Sequence, residues 1–585
     1  MDWNLQSLYT GFGENYTKDE QKLKDALTQA RDDDFSDGSA RAWEQRMQTL
    51  ETLYSLRIRL GAYAHLRNSV ESDNAEAVKA KDRIASLQPQ MVDYTVRMQR
   101  ALETTDLDAL FKESSTLSTY AFLLREQKKN SAYLLSDAEE QLYAALTQTG
   151  AQAFQQLKEL LTAKHMVEIE LDGELQTLPL PAIRNLAYHK DPAVRKAAYD
   201  AELQSYPRIE DSVAAALNAV KGESMTLAKK RGFDSPLAKT LNQSRMDPAI
   251  LDALWTAIDE KKPVFQKYLR HKAKLLGHTG GLPFYDLFAP AGEVDLTYSF
   301  EEAASYVIDK FHDFSGELGN YMQRAVDEQW IDVYPKKGKR GGAFCSNLHP
   351  VAESRFMLNF TGSYSNLTTL AHELGHGWHG HVLSKEPLLN SSYPMPLAET
   401  ASTFCELLVN RAAMKDADDA TRAAILENSI SGVTQTCIDI RSRFLFEDAI
   451  FEKRQEGPLS VDEIKALMLD AQKAAYGDGL DEEVLHPYMW INKPHYFMPG
   501  LDYYNFPYAF GNLFAVGLGK MYREDPEGFP ARYNEMLALT GKADVADVAR
   551  SLGIDLTKPD FFRDSLYEVE KEIDEWILRT ENDTK

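Results

Sequence analysis

Long stretches of this chain place apolar residues at three- and four-residue intervals among charged ones, a spacing that predicts amphipathic helices. The pattern runs through residues 17–33, 40–69 and 75–104, and it resumes from about 192 to 276. Long helices joined by short connections pack as antiparallel hairpins. The spacing therefore predicts a mainly α fold whose N-terminal part is a lobe of helical hairpins.

Two short regions depart from the helical pattern and predict strands. In the segment Met166–Leu178, Val167, Ile169 and Leu171 alternate with polar residues before Asp172-Gly173, a dipeptide typical of two-residue hairpin turns. Residues 331–362 offer three further short strands, at Ile331–Tyr334, Gly341–Cys345 and Arg355–Phe360. We expect one N-terminal β-hairpin and one small β element beside the helix that follows residue 362.

Charge and composition exclude several kinds of partner. The chain has 65 basic and 89 acidic residues and a net charge of −24, so nucleic acid and anionic lipid are not expected partners. No uncharged apolar stretch of about 18 residues predicts a membrane span, and the first residues lack the pattern of a secretory signal. The three widely spaced cysteines fit a reducing compartment, so we expect a cytoplasmic protein.

The string His372-Glu373-Leu374-Gly375-His376 is the most specific chemical signal in the chain. It lies in a segment without proline, residues 366–383, that can form at least four helical turns. Residues four apart share one face of a helix, so the two imidazoles can bind a single Zn²⁺. Glu373 would then act as general base toward a metal-bound water.

A third ligand is available at Glu399, 23 residues after His376. The turn-rich stretch Pro387–Pro396 would let a second helix start near Pro396 and run antiparallel to the first, which returns Glu399 to the imidazoles. Two histidines and one glutamate leave a coordination position open for water, as in catalytic zinc sites. The sequence therefore predicts one catalytic zinc per chain.

Three neighbouring residues allow other interpretations. His379 and His381 could be alternative ligands, but His379 is three residues after His376 and turns away from the face of Glu373. We favour a packing or supporting role for it. Glu406, seven residues after Glu399, could orient a ligating imidazole through its free N–H, or could be a partly exposed helix carboxylate.

Several strings outside the zinc motif are similar to one family. With Leu370–His376, these strings are Trp3-Asn4-Leu5, Asp332–Pro335, Arg340–Phe344 and Leu358-Asn359-Phe360-Thr361-Gly362. On these residues the chain resembles the oligoendopeptidase F branch of the thimet-oligopeptidase-like zinc metallopeptidases, from near residue 1 to beyond residue 510.

The resemblance implies a fold and an activity. The implied fold is almost all helical, with two lobes that enclose a deep substrate channel and a zinc site on its floor. The implied activity is hydrolysis of internal bonds in short, unstructured peptides, with His372, His376 and Glu399 as zinc ligands and Glu373 as base.

The resemblance also suggests a domain organisation. Residues 1–110 would form an N-terminal helical lobe, and residues 111–200 an N-terminal domain of the oligoendopeptidase F type that includes the β-hairpin. Residues 201–585 would form the zinc metallopeptidase catalytic domain.

Members of the family have a C-terminal histidine followed by tyrosines, which stabilise the tetrahedral intermediate and hold the substrate. The matching residues here are His495, Tyr504 and Tyr508, and Asn512 stands where a further tyrosine is expected. A phenol can donate to a developing oxyanion without carrying charge. Tyr504, Tyr508 and Asn512 all remain candidates for that role. We also expect the strand Arg355–Phe360 to bind substrate backbone by edge pairing.

Two other functions remain as alternatives. A zinc carboxypeptidase or dipeptidase on a similar helical fold would need a fixed cationic group for the substrate carboxylate. A non-catalytic peptide-binding scaffold is less favoured, because such a scaffold would be free to lose Glu373. The sequence contains no signal for the oligomeric state or the cleavage preference.

Overall fold

The computed structural model describes residues 2–171, 173–292 and 296–582, and helices form most of it. The predicted mainly α class is confirmed. The helices of the N-terminal part are α1 (Glu14–Asp32), α2 (Ala40–Val70), α3 (Ala75–Ala85), α4 (Gln88–Glu103), α5 (Leu107–Glu113), α6 (Ser115–Thr119), α7 (Ala121–Ser131), α8 (Asp137–Thr149) and α9 (Ala151–Ala163). Those of the middle part are α10 (Leu180–Asn185), α11 (Pro192–Ser205), α12 (Glu210–Lys230), α13 (Pro236–Gln243), α14 (Pro248–Leu275), α15 (Phe300–Phe314) and α16 (Gly316–Asp327). The remainder are α17 (Tyr364–Leu383), α18 (Met395–Ala398), α19 (Thr400–Asp416), α20 (Asp419–Thr434), α21 (Ile440–Arg454), α22 (Val461–Tyr476), α23 (Phe506–Glu524), α24 (Phe529–Leu539), α25 (Val545–Arg550) and α26 (Asp560–Asn582).

The helices follow the predicted periodicity, and two of the predicted stretches divide: residues 192–276 form the four helices α11 to α14. α1 and α2 match the first two predicted stretches, but the stretch 75–104 forms two helices, α3 and α4. Pro89 occupies the first turn of α4, where its missing N–H costs nothing, so it favours the start of a helix rather than its interior.

Two small sheets confirm the predicted β elements. The hairpin pairs β1 (Met166–Leu171) with β2 (Glu174–Pro179) in antiparallel register. Gly173 has φ +79°, a left-handed conformation that glycine adopts readily. Asp172, the other residue of the predicted turn, lies outside the described residues.

The second sheet has three strands, β3 (Ile331–Asp332), β4 (Phe344–Leu348) and β5 (Glu353–Met357). Its order is β3-β5-β4, with β3 parallel and β4 antiparallel to β5. The three strands form in the predicted region, although β4 runs further, and β5 begins and ends earlier, than the sequence suggested.

The chain forms two compact units, and each comprises three segments. The first unit contains Met1–Leu134, Asp295–Ala412 and Leu518–Ile554; the second contains Leu135–Val294, Ala413–Gly517 and Asp555–Lys585. The predicted domain boundaries after residues 110 and 200 stay a prediction.

The core of the first unit joins the N-terminal helices to the second sheet. Trp43, Leu53 and Leu60 of α2 are at most 1% exposed, and Leu348 of β4 and Met357 of β5 belong to the same buried cluster. Burial of apolar side chains of this size contributes about 1.5–3 kcal/mol each. The sheet next to α17 is therefore anchored on a helical core.

The second unit is built around long helices. α14 packs against α26, where the rings of Tyr268 and Trp576 meet edge to face at 5.3 Å. Lys272 of α14 forms a buried ion pair with Glu427 of α20 at 2.7 Å. Within the described part of the chain, no helix combines the length and the apolar character needed to cross a lipid bilayer.

Candidate active site

The zinc motif lies on α17, a helix that the local sequence favours. Ser363 caps its N-terminus by accepting a hydrogen bond from the Asn366 backbone N–H. Leu367, Leu370 and Leu374 follow at helical spacing and are at most 1% exposed. This buried stripe fixes the rotation of the helix.

The two imidazoles of the motif share one face of α17, as predicted. The ring centroids of His372 and His376 are 4.9 Å apart, and the rings are nearly perpendicular. Both side chains are half-buried.

The structure brings the predicted third ligand to these two rings. Glu399 Oε2 lies 3.3 Å from His372 Nε2 and 3.5 Å from His376 Nε2. One ligand atom from each of the three residues falls within 4.8 Å of the others. Glu399 lies at the junction between α18 and α19, rather than inside one helix as the sequence suggested.

A glycine allows α17 to approach α19 closely enough for this meeting. A Cβ atom added at Gly375 would lie 2.7 Å from the Ala401 carbonyl oxygen and 2.7 Å from the Ser402 Cα. Any other residue at this position would push the two helices apart. The close packing of α17 and α19 therefore explains why position 375 is a glycine.

The chemistry of these donors fits zinc. Two imidazole nitrogens and one carboxylate oxygen are the protein ligands of many catalytic zinc sites, and they leave a coordination position for water. The donor atoms of His372, His376 and Glu399 lie close enough together to bind one cation.

The carboxylates around His372 dominate its electrostatics. Burial lowers the pKa of His372, but contacts with Glu399 and Glu406 outweigh burial and raise it to about 10. Burial also raises the pKa of Glu399, and here the two imidazoles outweigh it and hold the pKa far below its usual range. This strong attraction between the imidazoles and the carboxylate marks a site suited to a positive charge.

Glu406 lies where a supporting residue would be useful. Its Oε2 is 3.4 Å from His372 Nδ1, the nitrogen opposite the one that faces Glu399. A carboxylate on the free nitrogen of a ligating histidine orients the ring and strengthens its ligation. The contact favours the orienting role over a merely exposed carboxylate.

Glu373 is more buried than the ligands around it, with 7% of its surface exposed. Burial raises the pKa of Glu373 above its ordinary value, although the imidazoles of His376 and His372 oppose this shift. A carboxylate with a raised pKa is a stronger base, which suits proton abstraction near neutral pH.

The other two histidines of α17 lie outside the cluster. His379 is fully buried, bonds Thr540 Oγ1 through Nε2 at 2.8 Å and stacks on Tyr393. His381 packs against the ring of Tyr321 at 4.4 Å. These contacts agree with the packing role favoured for His379.

Sequence reasoning missed the polar residues that support the site. Asn347 Nδ2 donates to the His376 carbonyl oxygen at 3.1 Å, and its Oδ1 accepts from Ser354 Oγ at 2.7 Å. Ser402 Oγ donates to Glu399 Oε2 at 3.1 Å. No spacing rule points to Asn347, because it lies on β4 and meets α17 only in the folded chain.

The expected edge pairing of the strand Arg355–Phe360 with substrate is wrong for the part of it that lies in β5. β5 is the central strand and is paired on both sides. Beyond β5 the backbone N–H groups of Leu358 and Phe360 donate to Asp332 and Val333. A central strand has no free edge to offer.

The predicted C-terminal residues form a group of rings in the second unit. His495 stacks on Tyr504 at 4.5 Å between ring centroids, and Tyr504 meets Tyr508 at 6.0 Å. Burial, together with the charges of Arg443 and other cations, lowers the pKa of His495 to about 4. Asn512 lies one turn after Tyr508 on α23.

The predicted site residues thus form two groups, one in each compact unit. The first unit assembles the motif of α17 with Glu399 and Glu406. The second unit assembles His495, Tyr504 and Tyr508. The catalytic roles predicted for the second group remain predictions.

Comparison with known proteins gives a family. Residues 185–568 match the model described as peptidase family M3. Residues 100–165 match a second model, described as oligopeptidase F. The first match covers more than half of the chain and includes both groups of site residues.

Curated relatives and a solved structure agree with this match. The chain is 26% identical over 531 residues to oligopeptidase PepF of Bacillus subtilis, covering 88% of this chain and 78% of the relative. It is 27% identical to the group B oligopeptidase PepB of Streptococcus agalactiae, covering 82% and 79%. The crystal structure of oligoendopeptidase-F from Enterococcus faecium superposes with a TM-score of 0.72 at 20% identity, covering 97% of this chain and 99% of that one, which shows a shared fold.

Proposed function

Because the chain belongs to peptidase family M3 and is a metalloendopeptidase, we propose that it binds one zinc ion and hydrolyses internal bonds of short, unstructured peptides. The observation that supports this most directly is the meeting of His372, His376 and Glu399 donors within 4.8 Å. The proposed ligands are His372 Nε2, His376 Nε2 and a carboxylate oxygen of Glu399.

The zinc, when bound, would supply Lewis acidity, which polarises a carbonyl and makes a water more acidic. Glu373 would take the proton of the attacking water onto a carboxylate oxygen and later deliver it to the leaving amine. Its burial supports this role, because a raised pKa lets one carboxyl group first accept and then donate a proton near neutral pH.

The ring group of the second unit would hold the substrate. His495 and one of Tyr504, Tyr508 or Asn512 would donate hydrogen bonds to the substrate carbonyl or the developing oxyanion. The lowered pKa of His495 keeps its imidazole neutral near pH 7, so it would act as a hydrogen-bond donor without charge. These assignments are part of the proposal.

The central test compares Glu373→Gln with a matched control, Glu103→Gln. Glu103 is an exposed residue at the end of α4, far along the chain from the motif. We expect Glu373→Gln to retain one zinc per chain by metal analysis and to lose at least about 10²-fold in kcat, the size typical of general-base catalysis. Glu103→Gln should behave as wild type. A Glu373→Gln enzyme with wild-type kcat would refute the base assignment.

Product analysis separates endopeptidase from carboxypeptidase action. Mass spectrometry of products from peptides of graded length should show internal cleavage and a length above which cleavage stops. Amidation of the peptide C-terminus should leave internal cleavage intact. A peptidase that removed only C-terminal residues, and lost activity on amidated peptides, would support the alternative.

We also propose the cytoplasm as the compartment. Cys345, Cys405 and Cys437 are all free in the structure. A reducing compartment maintains free thiols. Localisation of a tagged full-length protein by cell fractionation would test this.

A further inference from the structure

The second unit contains a cavity of about 230 Å³ that no step of the proposed reaction uses. Its volume is that of several water molecules, enough for a small organic ligand or the end of a peptide. The lining residues that matter here are Arg184, Lys493, Gln435, Tyr188, Tyr199 and Phe288. Cationic groups, aromatic rings and the carboxylate of Glu202 therefore line one partly open cavity.

Glu202 is a carboxylate in the lining of the same cavity, and its Oε1 atom makes several polar contacts. Arg184 Nη1 pairs with Glu202 Oε1 at 2.6 Å. Glu202 also accepts from Asn492 Nδ2 at 3.2 Å and lies 3.2 Å from His486 Nε2. Arg184 Nη2 makes a weak contact with Met489 Sδ at 3.9 Å, and the Arg184 side chain also interacts with the Tyr206 hydroxyl. Its guanidinium is part of the cavity lining.

A second buried carboxylate is engaged in the same way. Asp439 pairs with Arg443 one helical turn later and accepts from the Tyr476 hydroxyl at 3.2 Å. Both carboxylates that act electrostatically on Lys493, Asp439 and Glu202, thus have their own cationic partner.

Lys493 is the cation that this arrangement does not neutralise. In the described part of the chain, no hydrogen bond or ion pair reaches its Nζ atom. Burial lowers the pKa of Lys493 to about 8. Lys158 on α9 is also buried, 5% exposed, with the ring of Phe497 5.2 Å from its Nζ, and burial lowers its pKa to about 8. Buried charges without partners are costly unless an ion compensates them.

Another part of the cavity lining comes from a π-helical turn. Gln435 begins a π-helical turn, Gln435–Asp439, between α20 and α21. Single π turns inside helical segments are frequent at functional sites, because they turn side chains toward a ligand. The same turn supplies both a cavity-lining amide and the carboxylate that holds Arg443.

We propose that this cavity binds a carboxylate group, with Lys493 Nζ as its ion partner and the Arg184 guanidinium as a second positive group in the lining. The aromatic rings of Tyr188 and Phe288 would cover the apolar part of the ligand. Two sources offer this chemistry: a small dicarboxylic acid, and the C-terminal carboxylate of a peptide. The peptide source rests on the proposed peptidase function, and the organic-acid source does not.

The test is calorimetric titration of the full-length protein at constant chloride concentration. The probes are glutarate, an acetylated dipeptide with a free C-terminus, and the same dipeptide as its amide. Lys493→Met removes the charge with little change in shape. Lys196→Met is the matched control, because Lys196 is an exposed lysine of α11 in the same unit, paired with Asp200.

We expect at least one free acid to bind and the amide not to bind. Lys493→Met should weaken binding at least about tenfold, as expected for one lost charge-assisted hydrogen bond. Lys196→Met should bind as wild type. Binding of glutarate alone identifies a free acid as ligand, and binding of the dipeptide acid alone identifies a peptide terminus.

Three outcomes overturn the proposal: neither acid binds, the amide binds as well as the acid, or Lys493→Met binds as wild type. Without ligand, Lys493→Met should melt at or above the wild-type temperature, because it removes a partly desolvated charge that has no ion-pair partner in the described part of the chain. Lys493→Gln is the second variant should the methionine fail to fold, with the same expected loss of binding. Failure of the zinc or Glu373 tests would leave the glutarate result unaffected, so the two proposals fail separately.

Discussion

The side-chain amide of Asn347 donates a hydrogen bond to the backbone carbonyl of His376, over 3.1 Å. This contact joins the edge strand β4 to the helix that presents the second imidazole. A Cβ atom at Gly380 would lie 2.2 Å from Asn347 Cγ. The glycine therefore leaves the space on α17 that the Asn347 side chain occupies. The small sheet therefore supports the candidate metal site from behind.

Replacement of Asn347 by alanine should weaken both the fold and zinc binding. The variant removes the hydrogen bonds of Asn347 with the His376 carbonyl and the Ser354 hydroxyl, which costs about 1–3 kcal/mol of unfolding free energy. Loss of a supporting contact should lower zinc affinity on the order of tenfold. Competition with a zinc-binding dye measures the affinity. Asn68→Ala in α2 is the control, and equal zinc affinity in both variants would contradict a supporting role.

Glu406→Gln should lower zinc affinity while the fold stays intact. The carboxylate lies 3.4 Å from His372 Nδ1, and such partners typically change metal affinity by about 10–100-fold. The neutral amide keeps the shape but attracts the imidazole less. Competition with a zinc-binding dye measures the zinc affinity, and thermal unfolding of the zinc-free protein shows whether the fold stays intact. An unchanged zinc affinity would mean that Glu406 is only a partly exposed helix carboxylate.

Gly375→Ala should disrupt the site through sterics. The added methyl group would lie 2.7 Å from backbone atoms of α19, which cannot move without shifting Glu399. We expect destabilisation of about 1–3 kcal/mol, typical of overpacking, and loss of zinc binding. Gly432→Ala in α20 is the matched control, since a Cβ there meets nothing within 4 Å. It should stabilise the protein by about 0.4–1 kcal/mol, and similar melting curves for both variants would count against the packing argument.

Glu202 should make the stability of the protein sensitive to acid. Burial raises the pKa of Glu202, but His486 and Arg184 outweigh burial and lower it to about 2. The unfolded chain has the ordinary value, so the stabilising contribution is complete above about pH 4.5 and is lost as the pH falls toward 2. Its size is on the order of 3 kcal/mol.

Denaturant unfolding of Glu202→Gln at several pH values checks this prediction. The variant should be less stable than wild type at pH 6, and the difference should shrink as the pH falls below 4.5. Glu103→Gln should follow the wild-type curve throughout. A difference between wild type and Glu202→Gln that stayed constant down to pH 3 would contradict the linkage.

Local sequence patterns predicted most elements of the fold, because helices and hairpins depend on residues close in the chain. The spacing in residues 17–33 and 40–69 corresponds to α1 and α2, and the alternation before Asp172-Gly173 corresponds to the first strand of the β1–β2 hairpin. The stretch 75–104 divides just before Pro89, where backbone chemistry outweighs apolar periodicity.

Long-range pairing was beyond the reach of those patterns. Three strands were expected between residues 331 and 362, but nothing local says that β5 lies between β3 and β4. That order decides which strand has a free edge, and so it overturned the expected role of Arg355–Phe360. Strand order depends on contacts between segments that are distant in the chain.

The sequence by itself determined the relation of His372, Glu373 and His376, because a helix places residues four apart on one face whatever surrounds it. It also proposed Glu399, although its position between two helices emerged only in the structure. The tertiary structure alone brought Asn347 to the His376 carbonyl. It also left Lys493 without an ion-pair partner among the residues that the structure describes. These contacts are between segments that are distant in the chain. They depend on how helices and strands pack together, and the spacing of apolar residues along the sequence does not specify that packing.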